Sequence, residues 1–375
     1  MTLLLTGGAG FIGTVVRDRL ITNGERVRVF DIAQDRRDDV CDLDRVRGAM
    51  QGCDVLVHLA AKVGLGVDVS DLDDYARHND LGTAVVLRAA AEAGVRRVVY
   101  ASSMVVYGEG AYQCPRHGPV RPGPRRVDDL NAGRFNPACP ACGSTLDPML
   151  ITESADLDPR NAYAATKLHG EHLGSVWSRE TGGRVAALRF HNVYGPGMPR
   201  HTPYAGVAAL FLCQLADGMP CLVFEDGAQQ RDFVHVDDVA AAVAAATTAR
   251  LGDGLTPLNV GSGRVTTIGQ MAAAVTAAVG GPEPVITGRY RLGDVRHITA
   301  DSRRAQQVLG WRPRLSLSQG VATLLVGNRW PAAGSLVDRR SSALPARIEQ
   351  VVDQQGPGRG PHQGYAGLTA PKQRD

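Results

Sequence analysis

The chain has 375 residues, enough to bury a sizeable core and more than one core usually organises, so one large or two joined domains are expected. Its 41 Lys and Arg against 38 Asp and Glu leave a formal charge of +3, which gives no electrostatic case for nucleic acid or a membrane as the main partner. No apolar run is long enough to span a bilayer, and the apolar start lacks the basic leader and cleavage-like site of a signal peptide. A cytoplasmic protein is therefore expected, with its seven cysteines as thiols or metal ligands and not a disulfide framework.

The first predicted element is a short apolar strand, Leu3-Leu4-Leu5, which breaks into Thr6-Gly7-Gly8-Ala9-Gly10-Phe11-Ile12-Gly13. Three glycines spaced by three make a phosphate cradle. Gly7 permits a tight turn, Gly10 leaves the backbone amides open to a pyrophosphate, and Gly13 lets the next helix pack close to the strand. An amphipathic stretch with Val15, Val16, Leu20 and Ile21 follows, then a second strand, Val27-Arg28-Val29-Phe30, ending in Asp31. An acid at that point accepts both ribose hydroxyls of an adenosine and repels a 2′-phosphate, so the expected cofactor is NAD and not NADP.

Strands and helices go on alternating. Asp54 to Ala61 reads as a buried strand, Val85 to Ala93 as an alanine-rich helix, and Val95 to Ser103 as a strand ending in hydroxyls. The alternation predicts an α/β fold, a doubly wound parallel sheet with ligands at the carboxyl ends of its strands, where Asp31, Ser102 and Ser103 lie. We expect an NAD-binding domain over 1–194 and a smaller substrate-binding lobe, interleaved with it, over 195–329. Residues 330–375, rich in Gly, Pro, Gln, Arg and Ser, read as a disordered tail.

Within the first domain the pattern breaks over 109–150, where Pro, Gly, Arg and Cys crowd together without periodicity. Cys114 and His117 form a C-x2-H pair and Cys139 and Cys142 a C-x2-C pair, a spacing that predicts a closed tetrahedral zinc site. Four filled ligands leave no open position, so this metal is expected to be structural and the insertion to form a lid or wall at the substrate pocket.

Tyr163 and Lys167 stand at i and i+4, on one face of a predicted helix. An ammonium beside a phenol favours the phenolate, which would bring the tyrosine from about 10 toward neutrality as a general base on an alcohol. Ser103 at a strand end would steady the substrate oxygen and the phenolate.

These motifs resemble the NAD-dependent sugar-nucleotide epimerase/dehydratase family of extended short-chain dehydrogenases/reductases, typified by UDP-glucose 4-epimerase. The resemblance runs from Met1 to about Gly327. It rests on Thr6 to Gly13, His58-Leu59-Ala60-Ala61, Asn79 with Gly82-Thr83, Ser102-Ser103 with Val106-Tyr107-Gly108, and Tyr163 with Lys167. It continues through Arg189 to Pro196, Arg231 to Asp238, Asn259-Val260-Gly261 and Gly293 to Arg296. The Cys-rich insertion resembles those of enzymes similar to TDP-L-rhamnose 4-epimerase.

The resemblance implies a Rossmann fold with tightly bound NAD held by Gly7, Gly10, Phe11, Ile12, Gly13, Asp31, Leu59, Ala60, Ala61, Asn79, Tyr163 and Lys167, with Asp42 and Leu43 flanking the adenine. Ser103, Tyr163 and Lys167 would be catalytic. Ser103 and Asn192 would contact the sugar or its phosphate, Arg231 and Arg296 would grip the diphosphate of a UDP- or TDP-sugar, and a homodimer is implied.

Departures narrow the reaction. Family dehydratases carry Asp-Glu where this chain has Met104 and Val105, and sugar-acid decarboxylases usually keep a glutamate at the second position. Neither Met nor Val moves a proton. Epimerisation through transient oxidation at C4 remains. Two other readings stay open: a nucleotide-sugar dehydrogenase or reductase with net redox change, which would accumulate NADH, and a non-catalytic dinucleotide-sensing regulator. Such regulators commonly lose the catalytic tyrosine, which is present here.

Overall fold

Runs such as Leu3-Leu4-Leu5 and Val55-Leu56-Val57 offer no polar face to water, and in the computed structural model they are strands buried on both sides. The structure describes residues 1–64, 69–200 and 206–325; the expected tail over 330–375 lies outside the described residues. Six strands form one parallel sheet in the order Gly254–Val260, Arg184–Phe190, Arg97–Ser103, Val55–His58, Thr2–Thr6 and Arg26–Phe30. The chain runs from Thr2–Thr6 outward to one neighbour and then returns to the other side. At such a switch point the carboxyl ends of the strands open a crevice for ligands.

Helices cover both faces. Phe11–Thr22 and Val236–Ala246 bury Val16, Leu20, Val239 and Val243 on one side. Leu43–Met50, Gly82–Glu92 and Ala162–Thr181 bury Val46, Met50, Val86, Ala90 and Trp177 on the other. The last of these carries Tyr163 and Lys167. Its start is fixed by Asn161, whose side chain accepts from the Ala164 amide at 2.8 Å, and it ends at Gly182 with φ +68°. A separate apolar cluster of Phe211, Leu212, Met271 and Val275 joins helices Val207–Ala216 and Ile268–Val279, the second opened by a Thr267/Gln270 capping box.

The region that reads as aperiodic is folded. Ala111–Cys114, Gly118–Val120 and Asp147–Ile151 are strands, with the short helix Val127–Asn131 between them. They complete a mixed sheet in the order Thr266–Thr267, Gln230–Arg231, His297–Ala300, Asp147–Ile151, Ala111–Cys114, Gly118–Val120. Strands of two to five residues are too short to show a period of two, which is why the sequence pattern misses them. Among the described residues, no helix is long and apolar enough to cross a membrane.

Candidate active site

The glycine loop has the shape its spacing predicts. Gly7 adopts φ +72°, and a Cβ there would stand 2.6 Å from the Ala60 amide nitrogen, so the Leu59-Ala60-Ala61 segment rests directly on the turn. A Cβ on Gly13 would meet the Gly7 carbonyl at 1.9 Å. At Gly10 the nearest atom to such a Cβ is the Gly7 oxygen at 3.5 Å, which leaves the approach to the backbone free. Gly10 caps the helix Phe11–Thr22 with no side-chain bond, and no acid sits in the first turn beside Phe11 and Ile12. Open amides at a helix N-terminus fit a diphosphate.

Asp31 closes this end of the crevice. Its carboxylate accepts from the Ala9 amide at 2.9 Å and the Ala33 amide at 2.8 Å, which ties it to the glycine loop with further lone pairs left for hydroxyl donors. Asp42 has a local duty. It caps the helix Leu43–Met50 through bonds from the Asp44 and Arg45 amides, both 3.1 Å. Only the remaining capacity of that carboxylate, with the half-buried Leu43 beside it, could serve an adenine.

Two buried relays that the sequence motifs do not explain hold the loops together. His58 bonds Thr6 Oγ1 through Nδ1 at 2.7 Å and Thr83 Oγ1 through Nε2 at 3.1 Å; burial pushes it down to about 3, so it stays neutral. Asn79 lies in a π-helical segment, Ala76–Leu81, a departure from regular helix that often marks a functional position. Its amide clamps Lys62 at both backbone groups, 2.8 and 3.0 Å, and donates to Thr166 on the catalytic helix at 2.9 Å.

Ser103, Tyr163 and Lys167 come together at the end of strand Arg97–Ser103. The Ser103 hydroxyl is near enough to the Tyr163 phenol to favour its ionised form, and Lys167 Nζ lies 5.7 Å from that ring's centroid. The expected lowering of the phenol does not hold. Burial pushes Tyr163 up to about 12, with only Ser103 opposing it. The Lys167 ammonium is drawn instead to the Ala101 carbonyl at 2.8 Å, and burial brings it down to about 8. Behind the triad, Glu171 on the same helix accepts two bonds from Arg189, at 2.9 and 2.7 Å, and one from Ser102 at 2.5 Å. That buried pair fixes the catalytic helix against the neighbouring strands Arg97–Ser103 and Arg184–Phe190.

The substrate-side residues are placed unequally. Asn192 Oδ1 is buried and makes no hydrogen bond within the protein, an acceptor that a sugar hydroxyl could satisfy. The Arg231 guanidinium donates to three backbone carbonyls, of Gln230, Arg296 and Val295, at 2.9, 3.0 and 2.5 Å. Burial lowers its affinity for the proton, with Asp294, Glu109 and Glu225 opposing from longer range. A desolvated cation that bonds only carbonyls fits an incoming anion. Arg296 differs. It is 1% exposed and already holds Glu225 at 2.7 Å, Asp226 at two bonds of 2.8 Å and Asn136 at 2.8 Å. Its fork is committed to two acids and would grip a diphosphate only by giving them up.

Cys114, His117, Cys139 and Cys142 converge within 4.8 Å of one another. Cys114 Sγ lies 3.7 Å from Cys142 Sγ, and His117 Nδ1 lies 3.5 Å from both Cys114 and Cys139. Ligands of tetrahedral zinc stand roughly 3.8 Å apart for two sulfurs and 3.5 Å for sulfur and nitrogen. The Cys142 thiol is lowered to about 6, chiefly by its hydrogen bond with Ser144, and backbone bonding from Arg116 lowers Cys114. Cys139 is raised by burial. A second grouping, Asp39, Cys41 and His78, is a poorer donor set: Asp39 pairs with Arg77 at 3.1 Å, and burial pushes the Cys41 thiol up to about 11.

The crevice, the glycine cradle and the Ser103, Tyr163 and Lys167 group place the chain in a known class: it belongs to the NAD dependent epimerase/dehydratase family, whose model matches residues 3–127 and 141–261. The dTDP-L-rhamnose 4-epimerase of Burkholderia thailandensis is 34% identical over 344 residues, covering 86% of this chain and 93% of that protein. The UDP-glucose 4-epimerase of Thermotoga maritima, solved with UDP-glucose, is 27% identical with a TM-score of 0.71, covering 87% and 98% of the two chains. The Thermus thermophilus UDP-glucose 4-epimerase, in complex with NAD, is also 27% identical, with a TM-score of 0.67 over 87% and 98%.

Proposed function

We propose that this chain is an NAD-dependent nucleotide-sugar 4-epimerase that oxidises C4 transiently to a 4-keto sugar and restores it on the opposite face. The observation that carries the reading is Ser103 near Tyr163 with Lys167 one helical turn on, at the same carboxyl edge of the parallel sheet as the glycine cradle. When bound, NAD supplies the hydride acceptor and a positive ring whose charge favours phenolate at Tyr163. Gly7, Gly10, Phe11, Ile12 and Gly13 would hold its diphosphate, Asp31 a ribose, Asp42 and Leu43 the adenine, and Leu59 to Ala61 with Asn79 the wall of its pocket.

Tyr163 Oη would take the proton of the C4 hydroxyl and give it back to the opposite epimer. Ser103 Oγ bridges substrate oxygen and phenol, and the Lys167 ammonium stabilises the charge that forms. Met104 and Val105, which follow Ser103, cannot protonate a leaving hydroxyl, so the cycle ends in epimerisation and not dehydration. Arg231 and Asn192 are the groups best placed for the diphosphate and sugar of a UDP- or TDP-sugar, and Arg296 supports them. Incubation with UDP- and TDP-sugars, without added NAD and with C4 epimers resolved, should give two epimers and no NADH; stoichiometric NADH would make the chain a dehydrogenase.

The same proposal gives Cys114, His117, Cys139 and Cys142 a structural zinc, supported by three ligand separations that fit tetrahedral zinc and by all four donors lying within 4.8 Å of one another. Metal analysis of protein purified without added zinc should find one zinc per chain, and a value well below one overturns it. We further propose a cytoplasmic homodimer. Seven unpaired cysteines suit a reducing compartment. A groove between helices Gly82–Glu92 and Ala162–Thr181, lined by Leu87, Ala91, Leu173, Val176 and Trp177, offers a second copy an apolar face. Sedimentation at the mass of one chain would refute the dimer.

A further inference from the structure

We propose that the Cys/His insertion is a positioning element for Arg231, acting through Tyr112 and Asn136, so that filling its four-ligand cluster sets the affinity for the nucleotide diphosphate and not the proton-transfer step. The inference rests on the zinc and sugar-nucleotide readings, but its chain of contacts stands on the structure alone.

The contacts begin at the ligands. Cys114 and Cys139 pack with Tyr112 and Leu146 in a cluster of four buried residues, too small a core to fix the segment unaided. Tyr112 passes the position on. Its hydroxyl donates to Glu109 Oε1 at 2.9 Å and accepts from the His297 amide at 3.2 Å, while the Arg296 amide donates to the same Glu109 oxygen at 3.2 Å. The carbonyls of Val295 and Arg296 are two of the three acceptors that hold the Arg231 guanidinium.

A second route runs through Asn136. Its Oδ1 accepts from Arg296 Nε at 2.8 Å and meets His297 Nε2 at 3.1 Å. The Gln230 amide donates to His297 Nδ1 at 3.2 Å, so the proton lies on Nε2 and His297 donates to Asn136. Gln230 and Arg231 form one strand of the mixed sheet, and the insertion supplies three others. Arg125, also from the insertion, holds Glu225 at 2.6 Å and the Asp294 carbonyl at 2.6 Å. Glu225 is in turn the Arg296 partner and the only non-glycine residue with positive φ, +52°, among those described. The family match omits 128–140, which contains Asn136 and Cys139, whereas Tyr112 and Arg125 lie within it.

The test is the affinity of the full-length, NAD-loaded protein for UDP and for TDP, by calorimetry, so that it does not depend on turnover. Asn136→Ala should weaken the tighter of the two about 10-fold or more, leave zinc and NAD content unchanged, and raise KM with kcat within about twofold; Asn136→Asp, which keeps the acceptor, should restore most of the affinity. Cys142→Ser, stripped of metal, should show the same loss. Unchanged affinity in Asn136→Ala, or a fall in kcat with affinity intact, overturns the proposal. Wild-type protein without zinc would sink the metal reading and the claim of metal control, and the Asn136 pair would still decide the positioning claim. Binding of neither nucleotide would refute the sugar-nucleotide reading and this proposal with it.

Discussion

At the carboxyl ends of the parallel sheet, the loops are tied by contacts between residues 22 to 52 apart, as in Ala9 with Asp31 and Thr6 with His58. In the mixed sheet the groups that shape the site come from segments 100 to 160 residues apart, as in Arg125 with Glu225 and Asn136 with Arg296. The first region works by backbone geometry with one neutral histidine tying it together; the second works by buried charge, Arg296 held by two acids and Arg231 by carbonyls alone. A cofactor that stays bound suits a fixed cradle. A substrate that must enter and turn over suits a wall whose cation has no acid bonded to it.

The largest effect expected is at the triad between the regions. Tyr163→Phe should lower kcat by about 10²- to 10⁴-fold while bound NAD is retained, read by turnover and by the cofactor released on denaturation. Unchanged turnover would remove Tyr163 from the chemistry. The cradle can be broken in two distinguishable ways. Gly13→Ala drives a Cβ into the Gly7 carbonyl and should destabilise the fold by about 3 kcal/mol or more, in line with severe overpacking. Gly10→Ala meets only ordinary contact and should keep its urea midpoint while losing NAD.

The mixed sheet is tested by Glu225→Gln, which leaves Arg125 without its acid. A loss of about 3 kcal/mol in urea unfolding is expected, the cost of uncompensated buried charge. The smallest effect is read over a narrow pH window, about 2 kcal/mol for each histidine between pH 6.5 and 5. His58 in the parallel sheet and His297 in the mixed sheet are both brought down to about 3 by burial, against 6.5 when unfolded. The unfolded chain therefore binds more protons below about 6.5, and stability is lost as pH falls from there toward 3, by about 1.4 kcal/mol per unit for each histidine. Each single His→Asn variant should flatten the slope of stability between pH 6.5 and 5 by about that amount.

The glycine loop, Asp31 and the Tyr163 and Lys167 pair were legible in the chain because each is a local pattern, one turn of helix or one strand-to-helix turn. The four metal-ligand candidates were legible for the same reason, as two short pairs. What surrounds them was not. Nothing near Arg296 in the sequence announces that Glu225 and Asp226 will neutralise it, nor does the Asp42 motif show that its carboxylate caps a helix. The Tyr163 phenol was misjudged because proximity to Lys167 along a helix is visible in sequence, whereas burial and the pull of the Ala101 carbonyl on that ammonium are properties of the packed site. The mixed sheet escaped notice because its strands are short and pair with partners far along the chain.

Epimerisation by transient oxidation at C4 is tested most directly with a UDP- or TDP-sugar deuterated at C4, incubated with the protein in ordinary water without added NAD. The mechanism predicts that both C4 epimers form, that each keeps its deuterium at C4, and that no NADH accumulates. Deuterium lost to solvent, or one NADH formed for each sugar consumed, would contradict it.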